Sequence, residues 1–459
     1  MFEGINQRPV HRVHFIGLGG ISMSGLAQVL LKSGLAVSGS DLKASPLTER
    51  LVDAGVRLTV GHRAEAVDGS DIVVYTAAVH PDNVELARAR ELGLPVMTRA
   101  ELLGRVMGQA GNAVAIAGTH GKTTTTAMVG VILERAGLDP TVLVGGEVED
   151  FGGNARIGGH AYVVAEACEF HGSFLDLRPD VGVVLNIDDD HLDYFGTLGN
   201  VVAAFRHFAE LIRTGGAALL NFDDPQVRGI AAGLPAEVVS YALAAEARWR
   251  ATDIDFMGTP YPVFTAIHDG RPAARVALQV PGTHNVANAL AALAVGARLG
   301  VEPQAAAESL GCFHGAHRRF ERKGSRSGVA VYDDYAHHPT AIRLTLQAAR
   351  RLGPNRLWCV FQPHLYSRTK DLLGAFAREL SAADRLVVTD IYAAREEDPG
   401  DVSSRDLVRL IAERGAAVRY LPDFDQVVDY LGRETAPGDV VMTMGAGDIY
   451  RVAERFVEG

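Results

Sequence analysis

Cysteine is scarce in this chain. Only Cys168, Cys312 and Cys359 occur in 459 residues, far apart and without a CxxC pair. That spacing excludes a disulfide framework and a zinc ribbon, and it suits a reducing compartment. Long apolar runs are missing as well. No stretch approaches the roughly 18 unbroken apolar residues of a membrane-spanning helix. The apolar run from Val13 to Leu18 is interrupted by His14 and Gly17, which makes it too short and too polar for a signal-peptide core. The expectation from these shortages is a cytoplasmic protein without a membrane segment. Positive charge is also in deficit, with 44 Lys and Arg against 55 Asp and Glu and a net charge of −11. Such a balance excludes coating of nucleic acid or an anionic membrane by overall charge, while leaving room for local phosphate pockets.

Glycine, in contrast, is plentiful. Fifty glycines are too many for a helical bundle and suit frequent strand-to-helix turns. The apolar share of 47% lets each piece of chain build a core, and the length suggests about three domains of roughly 100–200 residues. The chain reads as α/β in three sections, 1–107, 108–322 and 323–459. Each opens with an apolar run, a glycine- or histidine-bearing turn and a helical pattern, the βαβ rhythm of a parallel sheet. In the first section VHFIGLGG predicts a strand and turn, Ser24 to Ser33 a helix, LAVSGSD a second strand and DIVVYTAAV a third, with another helix over Glu85 to Leu92. The second section predicts strands at NAVAIAG, YVVAEA, VGVVLNI and GAALLNF, and helices over 127–136 and 288–299. The third predicts strands at VAVYDDYA, RLWCVFQ, RLVVTDI and DVVMTMGAG.

AIAGTHGKTTTT (115–126) is the strongest local signal. A glycine-rich turn between a buried strand and a helix aims several backbone N–H groups at one point, where the helix N-terminus adds about half a positive charge. Gly118, Thr119, Gly121 and Thr124 shape that cradle. Lys122 can reach the β- and γ-phosphates, and the Thr123 hydroxyl can ligate Mg²⁺. Position 116, usually glycine in such loops, is Ile116. A tight turn with a chance lysine is the bland alternative, outweighed by Gly-Lys-Thr following an apolar strand.

The segments AEACEFHGSFL (165–175) and LNIDDDHLDYF (185–195) also follow apolar strands. Their polar residues therefore sit at the carboxyl edge of the sheet, where open α/β folds bind ligands. Glu166 and His191 offer an oxygen and a nitrogen to a metal near the loop; a solvated acidic turn and a helix cap are the alternatives. In GTHNVANALAALAV, His284 and Asn288 can face an adenine edge, or Asn285 can simply cap a helix. GAHRRFERKG offers Arg319 to a γ-phosphate or to a surface basic patch. Asp334, His337, His338, His364, Arg368 and the GAGD segment (445–448) all fall on loops after strands of the third section. The first-section glycines Gly17, Gly19 and Gly20 approach a dinucleotide fingerprint, but its third glycine is Ser22; Asp41 lies about where a ribose-binding acid belongs. Alone, that signal permits a phosphorylated nucleotide and says nothing of hydride transfer.

Taken in order, GLGGISMSG, GTHGKTTTT, EACE…GSFL, NIDDDHLDYF, GTHNVANA, GAHRRFERKG, DDYAHHPT, FQPHLYSRT and GAGD resemble the Mur ligases of peptidoglycan synthesis across nearly the whole chain. The resemblance implies a Rossmann-like N-terminal domain, a central P-loop ATPase domain with a parallel sheet, and a Rossmann-like C-terminal domain. It implies a cytoplasmic ligase of cell-wall precursor synthesis, and hence of cell shape and division, that uses ATP and Mg²⁺ to form an acyl phosphate. UDP-N-acetylmuramate is the implied acid and L-alanine the amine; a peptide-recycling ligase and a P-loop regulatory ATPase are the competing readings. Gly17, Gly19, Gly20, Ile21, Ser22, Asp41, Thr76, Ala77 and Ala78 are implied at the UDP-sugar. ATP falls to Gly118, Thr119, Gly121, Lys122, Thr123, Thr124, His284, Asn288, Arg319 and Asp334. Thr123, Glu166 and His191 are the implied metal ligands. Lys122, Glu166, His191, His364 and Arg368 are the implied catalytic set. A monomer or weak dimer is expected, with closure of the C-terminal domain during turnover.

Three departures stand out. Relatives that carry a carbamoylated lysine after the His191 position have no counterpart here, because Leu192 to Arg213 lacks lysine. The acidic stretch reads EACEF rather than EADES, and Leu365 stands where many members have arginine after Pro-His.

Overall fold

The computed structural model describes residues 9–394 and 396–459, without the side chain of Asp193. The chain falls into two compact units. One contains the residues up to Arg250 with Ala266–Ala274 and Asn288–Leu310; the other contains Ala251–Thr265, Arg275–Ala287 and Gly311–Gly459.

The first unit holds two sheets. The first sheet is built from β1 (Arg12–Ile16), β2 (Ala36–Asp41), β3 (Arg57–Val60), β4 (Ile72–Tyr75) and β5 (Val96–Thr98), in the order β3-β2-β1-β4-β5. All of its pairings are parallel. Its helices are α1 (Ile21–Lys32), α2 (Pro46–Asp53), α3 (Val84–Glu91) and α4 (Arg99–Gly108). Local chemistry sets their starts. Ser45 caps α2 with Pro46 following, and Thr98 caps α4 in a reciprocal box with Glu101, satisfying N–H groups that have no intrahelical partner. The chain order reverses between β1 and β4, so the loop after β1 lies at the switch point where such sheets take ligands.

The second sheet contains β6 (Asn112–Ala117), β7 (Thr141–Val148), β8 (Gly153–Arg156), β9 (Tyr162–Glu166), β10 (Val181–Val184), β11 (Ala217–Asn221) and β12 (Glu237–Ala242). Their order is β12-β11-β10-β6-β9-β7-β8, with β8 antiparallel to β7. β6 is central and buried from Ala113 to Ala117, as a strand covered on both faces must be. Helices α5 (Lys122–Arg135), α6 (Leu192–Phe195), α7 (Leu198–Glu210) and α8 (Pro225–Ile230) follow these strands. Phe15, Leu26, Ala115, Phe205 and Phe208 belong to one apolar core shared by both sheets of this unit. β13 (Trp249–Asp255), β14 (Val263–His268), β15 (Arg271–Ala277) and α9 (Thr283–Arg298) are divided between the units, and α10 (Pro303–Leu310) closes the first.

The second unit carries a six-stranded sheet of β16 (Glu321–Arg326), β17 (Val329–Asp334), β18 (Leu357–Phe361), β19 (Arg385–Val388), β20 (Val418–Tyr420) and β21 (Val440–Met444). The order is β16-β17-β21-β18-β19-β20, parallel except for β16. Its helices are α11 (Pro339–Arg350), α12 (Tyr366–Asp371), α13 (Leu373–Leu380), α14 (Ser404–Glu413), α15 (Phe424–Glu434) and α16 (Tyr450–Glu458). Alternation along β18 feeds two cores, with Cys359 and Phe361 in one and Trp358 and Val360 in the other.

Three expectations about elements need correction. DIVVYTAAV forms the fourth strand, because β3 intervenes; β3 is a half-exposed edge strand with too little apolar pattern to show in sequence. The helix after the lysine-bearing loop starts at Lys122 rather than Ala127. Its threonines are weak helix formers, yet Thr125 and Thr126 are fully buried, and packing overrides propensity. The helix placed at 288–299 begins at Thr283, and Asn285 donates to the Pro281 carbonyl at 2.8 Å instead of capping it.

Candidate active site

The loop between β6 and α5 is held open by two left-handed glycines. Gly118 has φ +144° and Gly121 φ +85°. A Cβ on Gly118 would lie 2.8 Å from Leu185 Cβ, and one on Gly121 2.8 Å from Asn288 Oδ1. Only glycine fits either place. The loop is also tied to the segment after β10. Asn186 accepts the Thr119 and His120 N–H groups through its carbonyl and Oδ1, at 3.1 and 2.7 Å. The Asp188 N–H donates to Thr119 Oγ1 at 2.9 Å. This brings Thr119, Gly121 and Asn288 to one end of the sheet, beside the NIDDD acids.

Lys122 is not idle in this loop. Its ammonium donates to the Gly118 and Thr119 carbonyls at 2.6 and 3.2 Å and to both oxygens of Glu169 at 2.8 and 3.0 Å. Burial works to lower the lysine pKa, but Glu169, Cys168 and Glu166 together hold it above its ordinary value. Glu169, whose side chain is 3% exposed, is the residue the sequence reading missed, although it lies three positions after Glu166 in the same EACE motif.

Glu166 ends β9 in register with Ile116 of β6. Its Oε1 accepts the Gly145 N–H at 2.5 Å, and the neighbouring Gly146 lies against Thr123, with a built Cβ 3.3 Å from its Cγ2. Thr123 and Glu166 thus bracket the β7 glycines and present the hard oxygen donors that Mg²⁺ prefers. His191 stands at the start of α6 with φ +57°, its ring 5.0 Å from that of Phe170. His120 pairs with Asp188 at 3.1 Å.

The glycine turn after β1 is a second glycine-bearing loop of this unit. The N–H groups of Gly17 and Leu18 both donate to the Ser40 carbonyl at 2.9 Å, and that of Gly19 donates to Asp41 Oδ2 at 2.8 Å. Gly17 has φ +84°, and a Cβ there would meet Thr76 Cγ2 at 2.9 Å, so the turn and the segment after β4 touch. Ala77 and Ala78 are exposed. α1 begins at Ile21 and Ser22 without a side-chain cap and without an acid in its first turn, which leaves its positive end for a ligand's anion. From there a small open cavity, lined also by Gly25, Leu143 and Asn154, reaches Glu166.

In the second unit, two adjacent arginines divide their tasks. Arg318 donates from Nε to Asp333 at 2.9 Å and from its two terminal nitrogens to the Gly447 and Gly445 carbonyls at 2.8 and 2.6 Å. Its guanidinium is thereby committed to tying GAHRRFE, DDY and GAGD together. Arg319 lies over the Tyr335 ring at 5.0 Å. Asp334 accepts the Phe320 and Ala336 N–H groups at 2.8 and 2.7 Å, and burial pushes its carboxyl up to about 6 despite the pull of Arg319. The His364 ring stacks on Tyr392, and its Nδ1 lies 3.3 Å from an Arg368 terminal nitrogen. Leu365, between them, has φ +68° and is 5% exposed; it packs inward where an arginine would have reached out. Burial also lowers the His284 imidazole to about 4, so it is neutral at physiological pH.

A glycine-rich strand-to-helix loop with a committed lysine, in a chain that also carries a glycine-turn sheet before it and a third sheet with polar strand ends after it, defines a three-domain α/β enzyme. The comparisons make the class specific. Residues 12–110 match the Mur ligase family catalytic domain, 116–296 the Mur ligase middle domain and 318–447 the Mur ligase glutamate ligase domain. The UDP-N-acetylmuramate–L-alanine ligase of Caldanaerobacter subterraneus subsp. tengcongensis is 50% identical over 447 residues, 97% of each chain. That of Acetivibrio thermocellus is 46% identical over 447 residues, 97% of this chain and 95% of that one. Among solved structures, the UDP-N-acetylmuramate–alanine ligase of Thermotoga maritima superposes with a TM-score of 0.81 at 29% identity, covering 97% of this chain and 98% of that one. A murein peptide ligase of Psychrobacter arcticus gives 0.73 at 25% identity, with 98% of both chains covered. The chain belongs to the Mur ligase family.

Proposed function

We propose that this enzyme joins L-alanine to the carboxylate of UDP-N-acetylmuramate, cleaving ATP to ADP and phosphate. The single observation that carries the reading is the Gly118–Thr124 cradle with Lys122 at its centre, in a chain whose relatives bear that activity in their names over 97% of its length. The peptide-ligating alternative is less well supported, since the relatives at 41–50% identity are named for L-alanine, whereas two peptide-ligase structures stand at 25% and 30%, the latter over 68% of this chain.

The chemistry follows from the poverty of a carboxylate as an electrophile. A carboxylate oxygen of the sugar acid attacks the γ-phosphorus, the bond to the β-bridging oxygen breaks, and ADP leaves. Lys122 neutralises the oxygens on which charge collects, with Arg319 assigned to the same role. The neutral amine of alanine, delivered near His364 and Arg368, then attacks the acyl carbon. It loses its proton as phosphate departs, and an amide remains. Asn288 and His284 are assigned to the adenine, Asp334 to the ribose, and the turn of Gly17, Gly19, Gly20, Ile21 and Ser22 with Asp41, Thr76, Ala77 and Ala78 to the UDP group. Mg²⁺ held by Thr123, Glu166 and His191 would supply charge neutralisation at the phosphates. The reaction is assigned to the cytoplasm, where ATP is supplied and the three free thiols are stable. No helix among the described residues is long and apolar enough to cross a membrane.

Phosphate release with ATP and UDP-N-acetylmuramate, scanned over L-alanine, glycine, L-serine and the murein tripeptide, tests the assignment. L-Alanine is expected to give the highest kcat/KM. Preference for the tripeptide would replace this reading with the recycling one, and amine-independent hydrolysis would remove ligation altogether.

A further inference from the structure

Arg99 is a charged residue of the cavity in the first unit that the proposed chemistry does not use. Arg99 is the first residue of α4, half-buried, and lines the same cavity as Ile21, Ser22 and Glu166. A cation at a helix N-terminus opposes the helix dipole, so nothing in the helix itself favours arginine there. The capping box of Thr98 and Glu101 fixes the first turn, with N–H···O distances of 2.6 and 3.2 Å. α4 is held close to the loop after β9, because Gly104 lies so near the Asp176 carbonyl that a Cβ would come within 2.4 Å of it. Arg99 therefore cannot swing away with its backbone.

The other polar groups of the cavity are engaged. Both amide protons of Asn154 are used, on the Ile21 carbonyl and Ser24 Oγ at 2.5 and 3.0 Å. Glu166 takes the Gly145 N–H. Arg99 and Glu166 are the charged residues of the lining. Among the described residues the Arg99 guanidinium makes no hydrogen bond or ion pair; it acts on Cys168 and Asp176 only at a distance. A half-buried guanidinium left with its fork unused on the wall of this cavity is suited to a planar or tetrahedral oxyanion.

We propose that Arg99 is the cationic contact for an oxyanion of the nucleotide-sugar acid within this cavity. The proposal rests on the function stated above. Two groups of that substrate share the chemistry, the pyrophosphate near the start of α1 and the carboxylate that must approach Glu166 and Lys122. Calorimetric titration of Arg99→Gln, Arg99→Lys and the unaltered enzyme with UDP-N-acetylmuramate and with UDP-N-acetylglucosamine, which lacks the carboxylate, separates them. Arg99→Gln is expected to weaken UDP-N-acetylmuramate at least tenfold, with Arg99→Lys recovering part of the loss and binding of magnesium adenylyl imidodiphosphate unchanged. Loss confined to UDP-N-acetylmuramate assigns the carboxylate; an equal loss for both sugars assigns the pyrophosphate. A change under twofold for both, or a parallel loss of adenine-nucleotide binding, overturns the proposal. If the unaltered enzyme itself fails to bind UDP-N-acetylmuramate, the function assignment fails instead, and the two failures are told apart.

Discussion

The contact between Lys122 and Glu169 makes a quantitative demand on the enzyme. Glu169 is buried and Lys122 nearly so, at 3% and 14% exposure, and their closest atoms are 2.8 Å apart. At an effective dielectric of about 20, the attraction at that separation is ~6 kcal/mol before the cost of desolvating both ions. Removing one partner of a buried pair typically costs about 3–5 kcal/mol, because the survivor is left uncompensated. Lys122 keeps its two carbonyl acceptors, so Glu169→Gln is expected at the lower end, about 3 kcal/mol. For a unit of this size that corresponds to a fall in Tm of about 5 °C.

Nucleotide changes the sign of the environment. Once β- and γ-phosphate oxygens reach the loop, Lys122 has new anions, and the missing carboxylate no longer leaves it bare. Ligand that binds the folded state raises Tm by mass action, and here it should raise the variant more than the parent. The assay is a thermal melt of both proteins with and without saturating magnesium adenylyl imidodiphosphate. The gap between them is expected to narrow on adding nucleotide, and Glu169→Gln should bind the nucleotide more tightly than the parent. Lys122→Met combined with Glu169→Gln serves as the control, in which nucleotide has no lysine to rescue. A gap of unchanged size, or weaker nucleotide binding by Glu169→Gln, would refute the competition between carboxylate and phosphate.

Lys122→Ala should abolish phosphate release while leaving UDP-N-acetylmuramate binding within about twofold by calorimetry, since the glycine turn after β1 makes no use of Lys122; an equal fall in both would contradict the site assignment. Arg318→Ala strips Asp333, which is fully buried, of its cation and is expected to cost about 3–5 kcal/mol in urea unfolding of the second unit, whereas Arg319→Ala should lower kcat with a stability change below about 1 kcal/mol. For Glu321, burial alone would raise the carboxyl, but hydrogen bonds from His317 and the Arg318 N–H, with the charges of His317 and Lys323, hold it at about 2. Its folded pKa is depressed, so its stabilisation is present above its ordinary pKa near ~4.3 and is lost as pH falls toward 2. Urea unfolding of Glu321→Gln should show a deficit of about 1–3 kcal/mol at pH 7 that narrows steadily below pH ~5; a deficit independent of pH would rule out the charge.

What could be read from the chain and what could not separate along a physical line. The proposed phosphate cradle needs consecutive N–H groups, so its signal is contiguous, and Gly118 to Thr124 carry it in seven letters. Strands that end at such loops are buried on both faces and show as apolar runs, which is why β6, β10 and β18 were legible. β7 was not, because Gly145 and Gly146 interrupt its pattern; those glycines are there so that Glu166 and Thr123 can approach them, and the feature that serves the site also hides the strand. β3 and β20 are short edge strands with too little burial to leave a period. Glu169 was within the quoted motif but silent, since its role depends on a lysine 47 positions away. Arg99 was wholly silent. In sequence it is an arginine opening an ordinary helix, and only the packing of α4 against the loop after β9 gives it a cavity to face. Contiguous ligand-binding backbone is thus written locally, whereas a lone charge acquires its meaning from what tertiary packing leaves unpaired. Unpaired cations in cavities are therefore the features for which a structure adds most to a motif reading of such chains.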